Sequence, residues 1–167
     1  MEFDPARLAF WESTWAVVLR CPASKMSTIL GHVPAACLVC PVEGSRCAAK
    51  SDLLQAMSES LRFPSYFGHN WDALEECLRD LSWFQSGAIA IVFREADRVL
   101  ESSPKEFETL IAILGDVAHA WTSSEPRERG GEKQRGFHVV FHCEPDREGA
   151  LLARLSAIPS ELLFWKS

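Results

Sequence analysis

Asp72 and Glu76 are the side chains of this sequence best spaced to act together. On a helix, residues four apart lie one turn above each other on one side. Two ionised carboxylates presented that way accept hydrogen bonds, bidentate ones from arginine above all, and so suit a cationic surface. Like charges at this spacing cost roughly a few tenths of a kcal/mol, and Asp72 recovers part of that in the first turn of its helix. The stretch around them has the required period. At about 100° per residue, Trp71, Leu74, Cys77, Leu78 and Leu81 fall on one side, and Asp72, Glu75, Glu76, Arg79 and Asp80 on the other. Asn70 is placed as the N-cap. Pattern alone favours a solvated helix face with Arg79 as partial neutraliser.

Other reactive residue types make weaker constellations. Cys37-x-x-Cys40 has metal or redox spacing, but it falls on an expected strand, where residues three apart face opposite ways, and no second pair follows. His138 and His142 share one face of another expected strand. No acid completes a metal set with them, so packing is the preferred reading. His32 and His119 have no visible partner. There is no phosphate-cradling glycine loop and no Ser/His/Asp order. Catalysis and cofactors have no positive support.

The elements that must position the acids are readable. Asp4-Pro5 can open a short helix with Leu8, Trp11 and Trp15 on one face. Residues 15–19 read as a strand and 24–30 as a short helix stopped by Gly31. Residues 36–42 are a buried strand. Ser51 is expected to cap a helix to Leu61, and the loop from Phe63 to Gly68 leads to the Asn70 helix. Residues 88–93 form a second continuous apolar strand, of the kind covered on both faces. Ser103-Pro104-Lys105-Glu106 reads as a capping box opening a helix to about Trp121. A charged loop, 123–136, precedes a third core strand over 137–143 and a closing helix over 147–158. Strands separated by helices predict an α/β fold with a parallel sheet and right-handed crossovers.

A length of 167 residues bounds the chain to one domain, or one domain with an extension. The net charge of −6 argues against a general nucleic-acid binder and favours basic partners. No apolar run is long enough for a membrane span, and the N-terminus lacks the basic start of a signal peptide. Six cysteines, several within apolar runs, suit reduced, buried thiols in a cytoplasmic protein.

The run Tyr66-Phe67-Gly68-His69-Asn70-Trp71-Asp72-Ala73-Leu74, continued by Glu75-Glu76-Cys77-Leu78, closely resembles the barstar family of bacterial ribonuclease inhibitors. The wider resemblance spans about Val33 to Cys143 and rests there on element order. It implies a small parallel sheet of three core strands packed by helices, and a domain over 33–158. Residues 1–32 then form an extension, expected as a strand plus a short helix packed on the core, and 159–167 a tail. It also implies that Asp72 and Glu76 enter a ribonuclease active site in place of substrate phosphate. The expected binding surface is Tyr66, Phe67, Gly68, His69, Asn70, Asp72, Glu75, Glu76 and Asp80, with Gly68 in a glycine-requiring conformation or giving way to the partner, and His69 on the rim. Asn70 is expected to act more as a cap than as a contact.

Glu95, Glu101 and Glu106 are weaker candidates for a further contact, Glu106 being explained by its capping box. Two departures suggest a different partner pocket: the family inhibitor has Asp where this chain has Glu76, and Trp where it has Glu75. The expected protein is an immunity or antitoxin-type inhibitor, without enzyme activity or cofactor, monomeric when free. A non-ribonuclease partner for the same fold is the alternative, and a small metal-dependent hydrolase using His138 and His142 is a third reading.

Overall fold

The computed structural model describes residues 4–9, 14–123, 135–156 and 163–166. Its centre is a parallel sheet in the order β2-β3-β4-β1-β5. The strands are β1 (Ala16–Arg20), β2 (Cys37–Glu43), β3 (Ala88–Arg94), β4 (Gly136–Cys143) and β5 (Leu163–Lys166). The helices are α1 (Ala23–Leu30), α2 (Lys50–Ser60), α3 (Trp71–Asp80), α4 (Pro104–Ser123) and α5 (Glu148–Leu155), with short 3-10 turns between. The fold is α/β and consistent with the barstar-like architecture expected.

The continuous apolar run of β3 follows from cover on both sheet faces. On one face, Val18, Val42, Ile91 and Phe141 pack against Leu54, Leu78, Leu114 and Leu151 of α2, α3, α4 and α5. On the other, Val17, Leu19, Ala90 and Val140 pack against Leu8 and Met26, from the N-terminal 3-10 turn and α1. Cys37 belongs to the second cluster and Cys40 to the first, so the two thiols face opposite sides of the sheet as their spacing required. Burial pushes the Cys37 thiol up to about 12 and Cys40 to about 11, which suits inert core residues.

The N-terminal segment is more than a layer in front of the core. Its strand β1 lies inside the sheet, with Ala16–Arg20 in register with Val139–Cys143 on one side. On the other side β1 pairs with β5, so the expected tail contributes a strand. Asp4 accepts the Ala6 N–H at 3.0 Å, but the expected helix is a 3-10 turn over Pro5–Ala9. Leu8 is buried and Trp15 packs on the larger core, whereas Trp11, the loop 124–134 and residues 157–162 lie outside the described residues.

Two expected caps differ. Helix α2 starts at Lys50, behind Ala49, so Ser51 lies in its first turn. Asp52 supplies the carboxylate that accepts the Ala49 N–H at 3.4 Å. Helix α4 starts at Pro104 as expected, but Glu106 does not return to Ser103. The Ser103 N–H donates to Leu100 O at 2.9 Å, and Glu106 is engaged elsewhere.

Candidate functional site

Helix α3 is fastened at both ends. Asn70 has extended backbone, and its Oδ1 accepts the Ala73 N–H at 2.8 Å, while its Nδ2 donates to Gly68 O at 3.3 Å. This is the cap expected, and such caps contribute about 1 kcal/mol. At the other end Leu81 takes the left-handed conformation, φ 42°, that ends many helices. Trp121 donates its indole N–H to Leu78 O at 3.1 Å. Arg135 donates to Leu81 O, Phe84 O and Ser86 O at 3.2, 2.8 and 2.9 Å, so a cation meets the negative end of the helix.

Between these fastenings α3 buries Leu74, Cys77 and Leu78 and exposes Asp72, Glu76 and Asp80. The three acids stand at successive turns, and none forms an ion pair or side-chain hydrogen bond with another described residue. Arg79, the expected neutraliser, is occupied beside them: its Nη2 and Nε donate to one oxygen of Glu75 at 2.7 and 2.9 Å. Glu75 is thus half-buried and charge-balanced, set apart from the row it was grouped with.

The loop before α3 has an inner and an outer side. Phe67, expected at the contact surface, is buried, its ring 4.8 Å from Phe63 and 4.7 Å from His69. Phe63 meets Trp83 edge-on, and Trp83 donates to Leu61 O at 2.9 Å. This aromatic packing fixes the loop from beneath, because the rings have nowhere else to hide from water. Tyr66 points the other way and is 72% exposed, the only large apolar side chain so exposed among the described residues. Gly68, His69 and Asn70 are exposed as well. The left-handed residue is His69, φ 48°, and Gly68 is not in that region. Gly68 is needed for closeness: a Cβ there would come 3.1 Å from the capping amide of Asn70.

Trp71 is only partly buried. Its indole N–H donates to Glu106 at 2.6 Å, and Lys50 Nζ lies 4.7 Å over its ring and 4.0 Å from the same carboxylate. Helix α4 therefore delivers Glu106 to the first turn of α3, and α2 delivers Lys50. The sequence signal for this was an indole that needs a partner when half-buried, but nothing local said which acid would supply it. Glu95 and Glu101 go elsewhere. Glu95 lies 3.5 Å from Arg98, and Glu101 acts electrostatically on Arg147 and Arg154.

Those residues belong to a second polar cluster at the carboxyl end of the sheet. Asp97 is buried and accepts from Arg147 at 2.9 Å. Arg154 donates to Asp97 O, Val99 O and Leu100 O and lies 3.9 Å from the centre of the Phe107 ring. Its guanidinium is held below its ordinary value by burial, with Glu101 and Asp97 opposing. His142 is fully buried: Nδ1 accepts the Glu95 N–H at 3.2 Å, so Nε2 carries the proton and donates to Cys21 O at 2.9 Å. His138 lies on the same face, near Thr14 O. Both histidines are therefore packed and hydrogen-bonded, and no group of three potential metal ligands occurs among the described residues.

Comparison with solved structures finds a similar fold in an ORC2 protein. The ORC2 protein of Aeropyrum pernix, in ADPNP and ADP complexes, aligns over 98% of this chain and 45% of its own, with TM-score 0.58 and 13% identity. Drosophila ORC bound to AT-rich DNA and Cdc6 aligns over 92% and 48%, with TM-score 0.47 and 15% identity. The chain thus spans under half the length of these proteins, and at such identity the likeness concerns the fold alone. No curated protein matches. The family model described as Barstar (barnase inhibitor) matches residues 37–142, from β2 into β4, and includes the capped acidic helix. That match covers well over half of the sequence, and the chain is a member of the Barstar family.

Proposed function

We propose that this protein is an immunity-type inhibitor that binds a basic ribonuclease and covers its active site with the acidic face of α3. The observation that carries this reading is the exposed row Asp72, Glu76 and Asp80, without a neutralising partner among the described residues, on a helix fastened at both ends. A ribonuclease gathers Arg, Lys and His to bind a phosphodiester. Carboxylates on a rigid support satisfy those donors without being cleaved. Rigidity matters because little conformational freedom is then lost on binding. Tyr66, exposed beside the row, supplies an aromatic contact with a polar tip.

The protein has no chemical step on this reading. It acts in the bacterial cytoplasm, is monomeric when free, and touches neither nucleic acid nor membrane directly. The test has two stages. Wild type and an Asp72→Ala/Glu76→Ala variant are used to capture a basic protein from the source lysate, and RNA cleavage by that protein is measured with each added back. Suppression by wild type alone supports the proposal. Equal suppression by both moves the binding face off α3, and cleavage unaffected by saturating wild type rejects a ribonuclease partner.

A second reading keeps the fold and the face but changes the partner. Glu75 favours it: family inhibitors present Trp at this position, whereas this chain has an acid closed against Arg79. A non-ribonuclease protein captured by wild type and lost by the double variant would support that reading.

A further inference from the structure

Among the described residues the sheet has an open edge at β2, which has β3 on one side and no strand on the other. A groove of about 480 Å³ runs beside it. Its lining includes the consecutive residues Leu38 to Glu43. Successive strand residues face opposite sides of a sheet, so an unbroken run lines a groove along the strand edge rather than over one face.

The backbone groups facing that groove follow from the register. Ala88 N–H donates to Ala36 O at 3.0 Å, and Cys37 is opposite Ala88. In a parallel ladder the bonding residues then alternate, so Leu38, Cys40 and Val42 turn both backbone groups to β3. Val39 and Pro41 turn theirs outward, as does the Glu43 N–H, while Glu43 O accepts from the buried Cys47 Sγ at 3.2 Å. Pro41 is tolerated because its missing N–H belongs on the open side. The N–H groups of Val39 and Glu43 have no acceptor among the described residues.

Charge along the groove is uneven. Arg46 and Arg62 line it, are exposed, and have no ion pair or side-chain hydrogen bond among the described residues. Of the two acids there, Glu43 is held by Arg94 at 3.0 Å, and Glu59 accepts from Gln55 at 2.7 Å while keeping its charge. Ser60 is also among the lining residues, but its Oγ is shielded from solvent. Two free guanidiniums accompany one carboxylate without a cationic partner, on a protein whose net charge is −6.

We propose that the β2 edge is a second binding site, which takes an extended peptide segment with acidic side chains as an added strand. Backbone pairing to Val39 and to the Glu43 N–H supplies register, and Arg46 and Arg62 receive the carboxylates. The occupant is opposite in sign to the partner suited to α3, and the site stands independently of the function proposed for that helix. Repulsion from the net negative charge is screened at physiological salt beyond a distance of roughly 8 Å.

The probe is an end-blocked peptide alternating valine and glutamate, titrated into isotope-labelled full-length protein and followed by amide NMR. Val39 and Glu43 amides are expected to shift, and an Arg46→Glu/Arg62→Glu variant to bind about tenfold or more weakly. Asp72→Ala/Glu76→Ala should bind the probe as wild type does. Unchanged spectral dispersion in the arginine variant shows that its fold is intact. No shift at millimolar peptide, equal binding of the peptide with lysine in place of glutamate, or shifts confined to α3 would each overturn the proposal.

Discussion

The two polar regions of this protein treat charge in opposite ways. At the carboxyl end of the sheet, where open α/β sheets usually receive ligands, the buried groups are committed: Asp97 to Arg147, His142 to Cys21 and Glu95, and Arg154 to three carbonyls. Glu144 even reaches back to accept the Ala23 N–H at 2.8 Å, across the β1–α1 turn. On α3, by contrast, three acids at successive turns face solvent. The first arrangement gains stability by satisfying groups that water cannot reach. The second gives up a little stability to keep charge available for a partner. Arginine shows the same division. Arg135 and Arg154 each bind three carbonyls, whereas Arg46 and Arg62 bind none.

This contrast can be broken by mutation. Arg154→Ala removes the donor from three carbonyls and a cation from the Phe107 ring, and should cost about 3 kcal/mol in urea unfolding. A loss within experimental error would mean that the carboxyl-end cluster is not structural. His142→Leu deletes two buried hydrogen bonds and strands the Glu95 N–H, for about 2 kcal/mol. Retention of full stability would mean that the imidazole only fills space. Asn70→Ala should cost about 1 kcal/mol, and partner affinity should fall with it as the first turn of α3 frays; stability lost with affinity unchanged would show that the cap does not position the acids. The smallest effect carries the sharpest sign. Glu76→Gln relieves repulsion from Asp72 and Asp80 and should raise stability by a few tenths of a kcal/mol at low salt, while weakening the partner complex several-fold or more. Destabilisation by this variant would show that Glu76 belongs with the structural charges after all.

Much of this was legible beforehand because the signals were local. The period of Trp71 to Leu81, the Asn70 cap and the apolar run of β3 each report a constraint satisfied within a few residues. So does the spacing that sends Cys37 and Cys40 to opposite faces. The rest shares a cause. Glu106 fitted a capping box, and only the packing of α4 on α3 brought the Trp71 indole within its reach. Arg79 is the partial neutraliser expected, but only its rotamer, closed on Glu75, decides which acids stay free. Phe67 sits in a motif of contact residues, yet the loop needs a buried ring beneath it. The N-terminal strand occurs as expected, but its place between β4 and β5 was not legible, since strand order depends on distant chain segments that carry no local mark.

The sequence by itself determined which residues are helical, which side of α3 is charged and which family the chain resembles, because periodicity and capping act over one or two turns. Tertiary structure alone decided which of those charges remain free. Whether a carboxylate is spent or available depends on whether another element brings a donor within about 3 Å of it, and that distance is set by packing.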